Sequence, residues 1–474
     1  MTELHSPPPA GRARADSVRE GKRQPRPLGA KVTLVAAVIG LIYGYDSGSI
    51  SGALLFLEDD YHLSTLWISV ITSIVVFGSI LGAVIGPRMA NELGRKATMV
   101  ILSAGFALFA ALSAVPWGVW WLTVVRLLLG VTIGLSTVVV PVFISEFATD
   151  GNRGKLGAAY QFFVSAGVVL SMLTAWLLAP TRSWEAILGL SALPALLVCV
   201  AMLRFPDSPR WYAMKGCYDE ALATLRRIDP RTDGTARLDA IRADVTGGEQ
   251  GRFREIFTRR YARATFFVIA FGFFVQITGN NTVLFYSPTI FKTAGISGEA
   301  DSILVSAFVQ LTAVFGVVVS MLVVDRWGRR RPLLIGTTGM IVGHLVMALV
   351  FAQPEQTTLT GYLAVAGMSV FYIGFYFGIG SLIWVYTGEA FPARLRSVGA
   401  AALLLSDFTA NLIATFAFPG ILRTLGGSFS FGVFTLLSLI ALLFLHRMAP
   451  ETRGRSLEEI RSYWDNGGRW RGAS

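Results

Sequence analysis

Apolar residues in this chain come in long runs, not in the short alternation of a half-buried strand. Runs of about 20 residues, the length a helix needs to cross a bilayer, lie at about 32–55, 65–87, 97–115, 119–143, 155–180 and 184–204, and again at about 264–291, 302–324, 332–352, 360–388, 397–420 and 428–446. They predict an all-α membrane protein with twelve transmembrane helices, six in each half. The predicted organisation is a basic, disordered tail at 1–30, a six-helix bundle at 31–205, a linker at 206–263, a second six-helix bundle at 264–447 and a tail at 448–474. Within the linker, YDEALATLRRI and REIFTRRYARA read as short amphipathic helices lying on a membrane face.

Polar cassettes between the runs repeat in register. Glu146 and Arg153 (EFATDGNRG) recur as Glu389 and Arg396 (EAFPARLRSVG), Gly94-Arg95-Lys96 recurs as Gly328-Arg329-Arg330, and Pro206-Asp207-Ser208 recurs as Pro450-Glu451-Thr452. A charged cassette repeated between apolar helices over half the chain implies two parallel halves around a shared interface, the architecture of a transporter.

The composition, 53% hydrophobic and 15% charged over 474 residues, carries more apolar sequence than a soluble domain would bury. Of 41 Lys and Arg, only Arg182, Lys292 and Arg423 fall in the loops of one face, and Arg126 lies within the fourth span. The remaining 37 lie in the tails and the opposite loops, which places both termini in the cytoplasm. The net charge of +11 is explained by this bias, so no nucleic-acid partner is expected. The first apolar run is long enough to span and carries Asp46, so no cleavable signal peptide is expected. Cys199 and Cys217 are too few and too separated for a disulfide framework or a metal site. His344, the one histidine within a span, reads as a helix-interface residue. No GxxxxGK[ST] loop is present, so ATP is not the evident energy source. No enzymatic activity, cofactor or metal is expected, and the chain is expected to be monomeric in the plasma membrane.

Charged groups at membrane depth are expensive and are paired or functional. Asp46, mid-way along the first span, is in reach of Arg126 on the fourth. Burial and a nearby cation pull a carboxylate in opposite directions, so a pair that opens and closes with conformation can bind and release a proton. Under two-fold symmetry Glu146 and Glu389 can reach Arg396 and Arg153 of the other half, closing a cytoplasmic gate that separates when the cavity opens inward. Arg95 and Arg329, beside glycines suited to tight turns, are placed to bond helix-end carbonyls or these glutamates.

From Gly44 to Leu457 the chain resembles a sugar porter of the major facilitator superfamily. The resemblance rests on GYDSGSISGAL, RLLLGVTIGLSTVVVPVFISEFA, FPDSPRWYAMKG, VLFYSPTIFKTAG, DRWGRR, IWVYTGEAFPARLRSVG and PETRGRSLEEI. It implies the major facilitator fold and proton-coupled import of a monosaccharide or polyol by alternating access. The alternatives are a facilitative uniporter, a proton-driven exporter of a metabolite or drug, and a non-transporting sensor. An aspartate stands at the position of Asp46 in the family's proton symporters, where facilitative members carry asparagine. One charge moved through roughly 100 mV yields about 2.3 kcal/mol and one pH unit about 1.4 kcal/mol. Together, about 3.7 kcal/mol sustains a several-hundred-fold gradient.

The resemblance also implies sugar ligands at Gln161, Gln276, Asn281, Trp384 and Asn411, and an outer gate at Phe285 and Tyr286. Amides donate to and accept from hydroxyls, and an indole covers the apolar face of the ring. The chain departs from the family at Val275 and Ala313, where amides are usual, at Ser381, where proline is usual, and at Asp407, where the family has an amide. Asn280 is an added amide. Asp407 reads as a second titrating group, as a ligand for a polyhydroxylated or cationic substrate, or as a group buried against Asn280.

Overall fold

The computed structural model describes residues 28–147, 153–229, 233–247 and 251–470; the tail before Leu28 and the last four residues lie outside this range. Among the described residues the secondary structure is helical throughout. The first half contains α1 (Leu28–Tyr61), α2 (Thr65–Glu92), α3 (Arg95–Ser113), α4 (Val119–Phe147), α5 (Arg153–Leu178) and α6, whose two segments are Trp184–Gly189 and Ala192–Leu203. The second half contains α7 (Ala262–Ile277 and Asn280–Thr293), α8 (Glu299–Trp327), α9 (Arg330–Phe351) and α10 (Thr358–Phe377 and Ile379–Ala390). A last helical stretch, Arg396–Met448, turns at Gly426 (φ 81°, ψ 168°) and so supplies both α11 (396–425) and α12 (427–448). Twelve spans result.

Most spans outrun the apolar runs that predict them, because polar residues at their ends can leave the hydrocarbon without ending the helix. α1, for example, continues through Glu58, Asp59 and Asp60. The last two spans join without a loop because the turn needs only one residue, and glycine takes the required positive φ at little cost.

Packing repeats between the halves. α1 lies on α5, α2 on α4 and α3 on α6; α7 lies on α11, α8 on α10 and α9 on α12. The α2–α4 contact is close because Gly78, Gly82, Gly130 and Gly134 face one another, and a Cβ at any of them would strike a carbonyl oxygen of the facing helix. Small residues at such crossings let backbones gain the dispersion contact that drives helix association in lipid. Large apolar side chains such as Leu177 (71% exposed) and Leu322 (69%) cover the outside, as expected of a surface that meets acyl chains.

With twelve spans, α1 begins and α12 ends on one face, here the terminal face. The linker lies there as helices Pro209–Met214, Tyr218–Ile228 and Gly234–Gly247 and a 3-10 turn, Phe253–Phe257. A final helix, Leu457–Asp465, starts in a Ser456/Glu459 capping box and packs Trp464 on Phe267 of α7, ring centroids 5.1 Å apart.

Candidate functional site

Asp46 and Arg126 meet between α1 and α4. Arg126 Nη1 lies 3.9 Å from Asp46 Oδ1, and the Arg126 and Asp46 side chains are 2% and 4% exposed. Asp46 Oδ2 and Arg126 Nε have no hydrogen-bond partner among the described atoms. The pair is thus near enough to attract strongly but is not locked by hydrogen bonds, so a small shift of α1 against α4 closes or opens it. Tyr43, one turn before Asp46, lies close enough to feel the charges of both Asp46 and Asp407, the latter across the interface on α11.

The predicted sugar ligands lie on α5, α7, α10 and α11. α7 breaks at Thr278 and Gly279, where Gly279 takes φ 97°, and the break sets Gln276 at the end of one segment and Asn280 and Asn281 at the start of the next. Gln276 Nε2 donates to Asp407 Oδ2 at 3.3 Å, and Asn280 Nδ2 donates to Asn281 Oδ1 at 3.2 Å. Asn411, one turn beyond Asp407, accepts from Thr415 Oγ1 at 3.0 Å. Asp407 is therefore bonded to Gln276, where the sequence also allowed burial against Asn280. Gln161 on α5 is partly buried, and Trp384 on α10 is 48% exposed. Val275 and Ala313 are buried. Ser381 Oγ bonds back to the Tyr376 carbonyl, restoring a partner to a carbonyl at the α10 break around Gly378.

The face opposite the termini is sealed by contacts between the halves. Ser51 Oγ on α1 donates to the Leu284 carbonyl on α7 at 2.7 Å. The Tyr286 hydroxyl lies 2.5 Å from Thr72 Oγ1 on α2 and donates to the Thr415 carbonyl, while its ring stacks on Phe418 at 5.4 Å. Phe285 beside it is buried. Arg423 bonds Glu58 and Thr65, and Arg182 lies 3.7 Å from Glu299.

The repeated cassettes sit on the terminal face, and there the described bonds stay within each half. Arg95 Nε lies 3.3 Å from Glu146, and Arg95 Nη1 donates to the Ala90 carbonyl. Glu389 lies beside Thr452 and Arg329 of its own half, and Arg396 Nε is buried without a partner. Arg329 reaches Asp325 at 3.7 Å. Among the described side chains no ion pair joins Glu146 or Glu389 to the other half; the Arg153 side chain lies outside the described residues.

The structure adds a role that the sequence pattern marked but did not explain. Asp207 Oδ1 accepts from the backbone N–H of Arg95 at 3.0 Å, and Glu451 accepts from those of Arg329, Arg330 and Arg453 at 3.0, 3.1 and 2.9 Å. Each half thus ends in an acid that holds the basic loop at the start of its third helix, capping N–H groups with no helical partner. Burial raises the Asp207 carboxyl above its usual range despite the N–H groups it accepts from. At Glu451 burial acts in the same direction, but three backbone donors outweigh it and hold the carboxyl low. The two acids stand at matched repeat positions, which was the signal available in sequence; the donors they serve were not visible there. Among the described residues no group of three His, Cys, Asp or Glu is placed to hold a metal.

Comparison with known proteins agrees with this architecture. The chain is 31% identical over 432 residues to the galactose-proton symporter of Escherichia coli K12, covering 90% of this chain and 93% of the relative. It is 32% identical over 442 residues to the glucose transporter GlcP of Staphylococcus epidermidis, covering 90% and 96%. Its structure matches that of the proton:xylose symporter XylE bound to 6-bromo-6-deoxy-D-glucose with a TM-score of 0.75 at 25% identity, over 92% of this chain and 99% of the other. A model of the sugar (and other) transporter family matches residues 32–464, and the chain accordingly belongs to that family of multi-pass membrane transporters.

Proposed function

We propose that this protein imports a monosaccharide or polyol together with a proton across the plasma membrane by alternating access, with both termini cytoplasmic. The observation that carries the reading is the buried, loosely held Asp46–Arg126 pair beside an interface lined with amides. With the substrate bound among Gln161, Gln276, Asn280, Asn281, Trp384, Asp407 and Asn411, protonation of Asp46 frees Arg126 and lets the halves rock. Deprotonation toward the cytoplasm restores the pair. Relatives named as galactose-proton and arabinose-proton symporters support the coupling.

On this orientation the contacts of Tyr286, Ser51, Arg423 and Arg182 close the extracellular side, with Phe285 and Tyr286 as outer gate, and the chain stands in an inward-facing state. The cytoplasmic gate of Glu146, Arg153, Glu389 and Arg396 then forms in the opposite state, with Arg95 and Arg329 holding the glutamates in the meantime. The test is uptake by reconstituted vesicles of labelled sugars and polyols with a pH electrode outside. Sugar-dependent alkalinisation of the medium is expected; uptake with no proton movement would reduce the protein to a facilitative carrier.

A further inference from the structure

The sugar-import reading leaves one arrangement between α7 and α11 unexplained. Asp407 is 8% exposed, and Gln276 Nε2 is the one described side-chain donor bonded to it. No Lys, Arg or His among the described residues forms an ion pair with it. Gln276 and Asn280 are themselves 9% and 6% exposed, and the atoms Gln276 Oε1 and Asn280 Oδ1 have no hydrogen-bond partner among the described residues. All three residues lie at the α7 break or on the α11 face that meets it. The Tyr376 hydroxyl lies beside Asn280, and Tyr43 of the other half faces both Tyr376 and Asp407.

The polar inventory of this corner is lopsided. Two acceptor atoms are buried without a hydrogen bond, one of them beside the Tyr376 hydroxyl, next to a carboxyl group that no described cation pairs. A buried acceptor left unpaired costs free energy, and an uncompensated buried charge costs more. A neutral sugar hydroxyl brings one donor and no charge, whereas an ammonium brings three donors and the missing positive charge. Proton coupling does not need this corner, because Asp46 already has its arginine partner.

We propose that Asp407, Gln276 Oε1 and Asn280 Oδ1 form a subsite for the protonated amino group of an amino sugar, so that the cavity prefers a cationic monosaccharide to its neutral counterpart. The inference rests on the sugar-import reading and narrows it to a substrate class. Asn411, one turn from Asp407, and the Trp384 indole remain available for the hydroxyls and the ring face.

Binding to the purified full-length protein in detergent, followed by tryptophan fluorescence at pH 6.5, tests the proposal with glucosamine, its 3-amino and 6-amino isomers, N-acetylglucosamine and glucose. At least one amino sugar is expected to bind about tenfold or more tightly than its neutral counterparts, the margin of a charge-assisted bond. Asp407→Asn should collapse that margin by lowering amino-sugar affinity far more than glucose affinity, and Asp407→Glu should restore part of it. A wild-type protein that binds neutral sugars as tightly as every amino sugar overturns the subsite. So does an Asp407→Asn variant that keeps the ranking while moving fewer protons per sugar in vesicles, an outcome that makes Asp407 a titrating group. Charge-selective binding that depends on Asp407, in vesicles that take up no sugar, would leave the subsite standing and remove the import reading instead.

Discussion

Replacing Asp46 by asparagine should uncouple transport without abolishing it. At 3.9 Å and an effective dielectric near 20, the attraction between Asp46 and Arg126 is about 4 kcal/mol. That is close to the about 3.7 kcal/mol carried by one proton across 100 mV and one pH unit. Making and breaking this contact is thus of a size that can transmit the driving force. The asparagine side chain cannot titrate, so accumulation driven by a pH gradient and a potassium diffusion potential should fall from several-hundred-fold toward unity. Exchange of labelled for unlabelled sugar should persist, because the amides of α7 and α11 are untouched. The variant also leaves Arg126 buried without a counter-charge, which costs up to about 3–5 kcal/mol and should lower the melting temperature. Asp46→Asn combined with Arg126→Gln removes both charges; it should recover stability but not accumulation, separating folding from coupling. Accumulation well above equilibrium by the single variant would falsify the assignment of Asp46 as the proton carrier.

Further outcomes follow from the gate, the loop clasps and the cavity. Glu146→Gln or Arg396→Ala should weaken the outward-facing state and raise labelling of cysteines placed at the cytoplasmic ends of α4 and α10; unchanged labelling and transport would make these residues surface bridges. Folding holds Glu451 below its usual 4.5, so the stability it contributes is complete above that pH and is lost as pH falls through the lower folded value. Asp207, raised above 3.8, binds its proton more readily folded than unfolded, so by the same linkage acidification withdraws no stability there. Acidification below 4.5 should therefore quicken amide exchange at Arg329 and Arg330 in the wild type but not in a Glu451→Gln variant, and equal acid sensitivity in the two would contradict the assignment. The triple change Val275→Gln, Ala313→Asn and Asp407→Asn should shift competition toward neutral hexoses, while Trp384→Ala should weaken every sugar; an unchanged ranking among glucose, xylose, inositol and glucosamine would show that these positions do not set specificity.

Apolar run length and the placement of basic residues determined, from sequence alone, the number of spans and the two-fold repeat, because a bilayer forces each crossing to satisfy its own backbone and penalises charge at depth. The position of Asp46 and Arg126 within apolar spans marked a pair for the same reason. What the sequence could not decide were interactions set by where helices break and how the halves lean. Gly279 bends α7 so that Gln276 turns to Asp407, and Gly426 lets the last two spans run together with no loop to announce the turn. Asp207 and Glu451 clasp backbone N–H groups, which carry no side-chain signature. Of the inter-half glutamate–arginine pairs expected from symmetry, Glu146–Arg396 is not formed here, Glu146 lying against Arg95 instead; on the proposed alternating access the same sequence serves two arrangements of its halves. Which one is adopted depends on the balance between the sealed contacts of one face and those of the other, a property of the tertiary structure.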